Sequence, residues 1–112
     1  MTGKLKVMNW YTLNSDHTVT KLPEGEYPDF EQNRHVGDTY INGIRISTVF
    51  LGLDHAFYPG RGPILFETMI FGGEYHDYQN RYYTWDEAND AHTAIVRAIT
   101  EGVHPETYLK EI

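Results

Sequence analysis

Asn42-Gly43 constrains this chain more than any other pair of residues in its 112. The dipeptide accepts positive φ at both central positions of a type I′ turn, and it lies between HVGDTYI and IRISTVF, two runs rich in strand formers. A two-residue hairpin dictates its own register: Ile41 opposite Ile44, Thr39 opposite Ile46, Gly37 opposite Thr48. One face then carries Ile41, Ile44, Ile46 and Phe50, and the other Tyr40, Arg45, Ser47 and Val49; only a bulge would let the register slip. After Leu53 the Gly- and Pro-rich stretch DHAFYPGRGP leads into ILFETMIFGG, a third strand expected antiparallel to the second and ending at Gly72-Gly73. Both of these strands are apolar over most of their length, which predicts central places in the sheet and burial on both faces.

Thr84-Trp85-Asp86-Glu87 is a capping box, so a helix is expected from Thr84 to about Glu101. Trp85, Ala88, Ala91, His92, Ile95, Ala98 and Ile99 recur at helical spacing, and Gly102 can close the helix in a left-handed conformation. VHPETYLKEI allows one more helical turn after Pro105. At the other end, alternation predicts a strand from about Lys4 to Leu13 and not a secretion signal, with a turn at Asn14-Ser15-Asp16. Residues 17–34 read as a functional loop, a short helix near Asp29 to Gln32, or a mobile arm. The chain is therefore expected to be one α+β domain: an antiparallel sheet of three to five strands with one C-terminal amphipathic helix packed on it. Residues 1–33 form a strand and loop, 34–102 the sheet and helix, and 103–112 a short tail.

Composition narrows the function classes. Sixteen acidic against nine basic residues give a net charge of -7, which argues against a nucleic-acid polymer as partner. The absence of cysteine excludes disulfides and thiolate zinc and suits a reducing cytoplasm, and no segment has the length of a membrane span.

The run RISTVFLGLDH at 45–55, LFETMIFGG at 65–73 and RYYTWDEANDAH at 81–92 resembles, in order and spacing, a family of small proteins without an assigned role found in bacteriophages and bacterial prophage regions. The likeness covers residues 34–100. It implies a phage-type accessory protein acting in the cytoplasm of a bacterial host, and it brings no reaction, cofactor or metal with it.

Within these motifs Arg45, Ser47, Asp54, His55, Glu67, Thr68, Arg81 and His92 are chemically unusual for a pure packing role, and Arg45, Asp54, His55, Arg61, Glu67, Arg81, Tyr82 and His92 are the candidate ligand-binding residues. Asp54-His55 ends a strand, where scaffolds present side chains to ligands, although an Asp there also serves as a turn former. Glu67 sits inside an apolar strand, where a carboxylate is costly unless it is paired with a cation, hydrogen-bonded or bound to a metal; Arg45 or Arg81 could supply the cation within the protein, or Glu67 could accept from a ligand hydroxyl or amine. His92 lies on the apolar stripe of the helix, so its ring should face the sheet, where a core hydrogen bond is the plainer reading. His55, Glu67 and His92 could instead form a two-His, one-carboxylate metal set, with Asp54 supporting a ligand or acting as base, in a small hydrolase. Arg45, Arg61 and Arg81, with Phe57, Tyr58, Tyr82 and Tyr83, could form a rim for an anionic nucleotide.

The leading expectation is a non-catalytic protein that binds and neutralises a host component, either a defence-signalling nucleotide or a host defence protein met through the acidic segment Glu24 to Glu31. A metal-dependent hydrolase and a minor virion or assembly component are the alternatives. The uncovered sheet face predicts a homo-oligomer.

Overall fold

A computed structural model describes residues 8–56 and 61–111. Among these residues six strands and one α-helix follow in the order β1 (Tyr11–Leu13), β2 (Val19–Lys21), β3 (His35–Ile41), β4 (Ile44–Phe50), β5 (Phe66–Phe71), β6 (Gln79–Tyr82) and α1 (Trp85–Glu101), with a 3-10 turn at Leu109–Glu111. β3 to β6 form a four-stranded antiparallel meander, and β1 and β2 a separate two-stranded hairpin. The fold is α+β, with the helix packed on the larger sheet.

Asn42 and Gly43 take φ of 47° and 81°, the positive values a type I′ turn requires. Ile41 pairs with Ile44, Thr39 with Ile46 and Gly37 with Thr48, as the turn chemistry predicts. The register shifts once, between His35 and Gly37, where Val36 is the additional residue of a bulge and turns against the core. β4 and β5 occupy the centre of the sheet, paired so that Thr48 faces Thr68 and Val49 faces Glu67.

Pleating sends Ile44, Ile46, Thr48 and Phe50 of β4, with Phe66, Thr68 and Ile70 of β5, toward the helix, which answers with Ala88, Ala91, His92, Ile95 and Ala98. The small alanines bring the helix close to the sheet, and Phe50, Phe66, Ile46, Ile70 and Ile95 are at most 1% exposed. The expectation that β4 and β5 would be buried on both faces is corrected. A single helix covers one face, and on the other Val49, Glu67 and Met69 are half-buried and Phe71 is exposed.

Thr84 is the N-cap: its hydroxyl accepts from the Glu87 amide at 3.1 Å, and the Glu87 carboxylate accepts from the Thr84 amide at 3.1 Å. Gly102, at φ 73°, ends the helix and donates to the Ile99 carbonyl. Thr84→Ala removes the cap at one stroke, and urea titration is expected to show a loss of about 1 kcal/mol with an unchanged slope.

The predicted N-terminal strand is present over Tyr11–Leu13, and its start at residues 4–7 lies outside the described residues. Residues 17–34 hold β2 and two turns, one in which the Glu26 amide donates to the Pro23 carbonyl and one in which the Gln32 amide donates to the Asp29 carbonyl, instead of a short helix. The β1–β2 hairpin is joined to the end of β4 by Tyr11 N–H to Gly52 O at 2.8 Å and by a bridge between Trp10 and Leu53. It is joined to the helix by His17, whose ring stacks on Trp85 with centroids 3.7 Å apart and planes 5° from parallel.

Candidate functional site

The sequence-predicted residues divide among a loop and the two faces of the sheet. Asp54 and His55 follow β4 in the loop. The Asp54 carboxylate accepts from the amides of Ala56 at 2.8 Å and Ile64 at 3.0 Å, and His55 donates its Nδ1 hydrogen to the Leu53 carbonyl at 2.7 Å. Both therefore organise the loop that returns the chain to β5. Phe57 and Tyr58, assigned to a nucleotide rim, lie outside the described residues. Arg61, on the far side of that loop, stands 5.0 Å from the centroid of the Tyr83 ring.

Strand alternation puts Arg45, Glu67 and Arg81 on the open face of the sheet. Arg81 donates through Nε to Glu67 at 2.9 Å across the β5–β6 pair, which supplies the cation that a carboxylate inside an apolar strand demands. Arg45 turns the other way, to β3. Its Nε and Nη2 grip the two oxygens of Asp38 at 2.8 and 3.1 Å, and this fork holds the Asp38 carboxyl below its usual range and raises the Arg45 guanidinium above its own.

Pinned in this way, the Arg45 guanidinium lies between two exposed rings, 5.7 Å from the centroid of Tyr40 and 5.9 Å from that of Phe71. Tyr40, Arg45 and Phe71 form one cross-strand row over β3, β4 and β5. Tyr40 is 69% exposed and Phe71 38%.

Tyr82 and His92 lie on the covered face and belong to one chain of hydrogen bonds. The Tyr82 hydroxyl donates to Thr68 Oγ1 at 3.0 Å, Thr68 and Thr48 hydroxyls are 2.6 Å apart, Thr48 Oγ1 is 2.7 Å from His92 Nδ1, and His92 Nε2 is 2.9 Å from Thr39 Oγ1. The chain touches all four strands of the sheet and the helix. Thr48 and Thr68 are fully buried, and Tyr82 and His92 are at most 8% exposed. Burial pulls His92 below its ordinary pKa, against a weaker opposing pull from Asp38, and burial raises Tyr82. The ring is therefore neutral at pH 7, and among the described residues no buried side-chain polar atom lacks a partner.

His92 comes this close to β3 because residue 37 is glycine. A Cβ there would meet ring atoms Cδ2 and Nε2 at 2.6 Å and Cε1 at 2.8 Å. A mid-strand glycine of this kind marks a close approach.

The three proposed metal ligands do not converge. Glu67 faces away from the helix and is taken by Arg81, His92 faces the helix side and is taken by two threonines, and His55 is in the loop. Among the described residues no group of three His, Asp or Glu side chains could hold a metal ion. Nor do the three arginines form one rim: Arg45 and Arg81 stand four residues apart along the partner strand, about 13 Å.

Sequence reasoning missed Gly37, Asp38, Thr39, Tyr40, Thr48 and Phe71. The signal for Gly37 was a glycine inside a strand, and for Thr48 a hydroxyl in the inward row of an otherwise apolar strand. No family model, curated protein or solved structure matches the chain. No helix among the described residues is long and apolar enough to cross a membrane.

Proposed function

We propose that this chain is a non-catalytic binding protein that docks its open sheet face on a basic protein surface and, in the setting its phage-like motifs imply, neutralises a host component in the bacterial cytoplasm. The observation that carries this reading is the Tyr40–Arg45–Phe71 row. Tyr, Phe and Arg are enriched where binding energy concentrates, and here the arginine is held in place before any partner arrives, so little rotamer freedom remains to be lost on docking.

Charge selects the kind of partner. All five arginines are engaged within the molecule: Arg45 by Asp38, Arg81 by Glu67, Arg97 by Glu101 and Glu111, with Arg34 over Phe30 and Arg61 over Tyr83. A nucleotide phosphate would have to compete with a carboxylate for Arg45 and Arg81, which favours the protein partner over the nucleotide. The net charge of -7, with Glu24, Glu26, Asp29 and Glu31 close together in sequence, steers a basic surface toward the chain.

Photo-crosslinking tests the reading. Tyr40→p-benzoylphenylalanine, introduced in bacterial cells, is expected to give one discrete adduct with a basic protein that weakens several-fold between about 0.05 and about 0.5 M salt. The same residue at the exposed helix position Thr93 is expected to give none. An adduct of twice the chain's mass would overturn the reading in favour of a homo-oligomer closed through this face, and a nucleotide retained on the purified protein without any adduct would overturn it in favour of sequestration.

A further inference from the structure

The hydrogen-bond chain through the core has a polarity, and its Tyr82 end sets it. With the Tyr82 hydroxyl donating to Thr68, the hydrogens of the two fully buried threonines run one way: Thr68 donates to Thr48, Thr48 to Nδ1 of neutral His92, and Nε2–H of His92 to Thr39, whose own hydroxyl sits at a half-buried position. A proton added to His92 makes both ring nitrogens donors. Thr48 must then accept from Nδ1–H and turn its own hydrogen to Thr68. Thr68 is fully buried, so its displaced hydrogen has one acceptor left, the Tyr82 oxygen. Tyr82 gives up its donation to Thr68 and turns its hydrogen outward.

Outward is a cleft of about 240 Å³ between β6, the first half of the helix and the tail, lined by Asn80, Tyr82, Glu87, Asp90, Ala91 and Leu109. We propose that His92 and the three hydroxyls behind it form a proton-linked switch, in which protonation at the β3 side of the core reverses the chain and converts Tyr82 into a hydrogen-bond donor to the cleft on the β6 side. No atom heavier than hydrogen has to change place for this, because each hydroxyl rotates about its own bond.

The groups that face the chain set the direction of its response. From β3, Asp38 favours the protonated ring, and no charged side chain of β4 or β5 lies on the covered face, where these strands present Thr48 and Thr68. At the cleft, Asn80 of β6 is already a hydrogen-bond partner of the Tyr82 hydroxyl, Glu87 and Asp90 of the helix share the lining with it, and the charge of Glu106 in the tail acts on it, so a hydroxyl hydrogen turned outward meets acceptors and negative charge there. Burial dominates at the ring, so the switch turns below the ordinary histidine range.

Solution NMR on the intact protein separates the two ends. As pH falls from about 7.5 to about 5, the His92 ring nitrogens are expected to titrate with one midpoint below about 6.5, and the ring carbon next to the Tyr82 hydroxyl is expected to shift with the same midpoint. His92→Gln should abolish the Tyr82 response. Thr48→Val, which keeps the volume and cuts the chain in the middle, should leave His92 titrating while Tyr82 stays flat. Thr48→Ser should restore the coupling. A Tyr82 signal that stays flat while wild-type His92 titrates would overturn the proposal without any variant, and so would a Tyr82 response that survives Thr48→Val or His92→Gln.

Discussion

Gly37→Ala is expected to lower the unfolding free energy by about 2 kcal/mol, and with it the melting temperature by about 10 °C. The cause is neither strand propensity nor backbone strain. The new methyl would stand 2.6 Å from His92 Nε2 and Cδ2, inside van der Waals contact, and the ring cannot retreat without releasing Thr48 on one side or Thr39 on the other. A double-mutant cycle isolates the effect. In a His92→Ala background the methyl fills space that the ring has vacated, so the penalty of Gly37→Ala should fall by more than half, giving a coupling energy of about 1 kcal/mol or more. Equal penalties in the two backgrounds would mean that the glycine serves some purpose other than clearance for the ring.

Thr48→Val should cost about 2–3 kcal/mol in chemical denaturation although it changes the side-chain volume very little. Thr48 stands between two buried groups, and the substitution leaves His92 Nδ1 without its donor and takes from the Thr68 hydroxyl hydrogen its acceptor, so that Thr68 can be satisfied only at the expense of the Tyr82 donation. Were the hydroxyl incidental, Val would be neutral or stabilising at a fully buried strand position. Thr48→Ser discriminates further: it keeps the hydroxyl and deletes a methyl, and should lose only about 1 kcal/mol, the usual cost of one buried methyl group.

Much of this architecture is legible in the sequence, for local reasons. A two-residue type I′ turn leaves no slack, so the β3–β4 register follows from Asn42-Gly43 alone, and the Thr84–Glu87 box names the first residues of the helix. What escapes is whatever depends on distant pairing. β4 and β5 are separated by fifteen residues, from Leu51 to Leu65, and no turn rule fixes their alignment; the meeting of Thr48 with Thr68 is therefore invisible, and with it the partners of His92. The three-residue strands β1 and β2 are too short to show an alternation. Glu67 was half legible. A carboxylate in an apolar strand called for a cation, and Arg81 answers it, but the choice of Arg81 over Arg45 was made by Asp38, whose place beside Arg45 follows from the same hairpin register. The candidate metal set fails on pleating alone, since Glu67 alternates with Phe66 and Thr68 and so points away from the helix that carries His92.

The attachment of the N-terminal hairpin has a consequence for synthesis. β1 leaves the ribosome about forty residues ahead of its anchor, the Gly52 carbonyl that accepts from the Tyr11 amide, and its second anchor, the Trp85 ring beneath His17, comes later still. At typical elongation rates that is a wait of about 2–8 s, long on the microsecond scale of hairpin formation. Meanwhile β3 to β6 and the helix follow one another closely in the chain and can assemble almost as they appear. The order of synthesis thus runs against the order of attachment: β1 and β2 are made before the strand end and the ring that hold them, and until Trp85 arrives the aromatic and acidic residues around them are open to any chaperone or protease the cell provides.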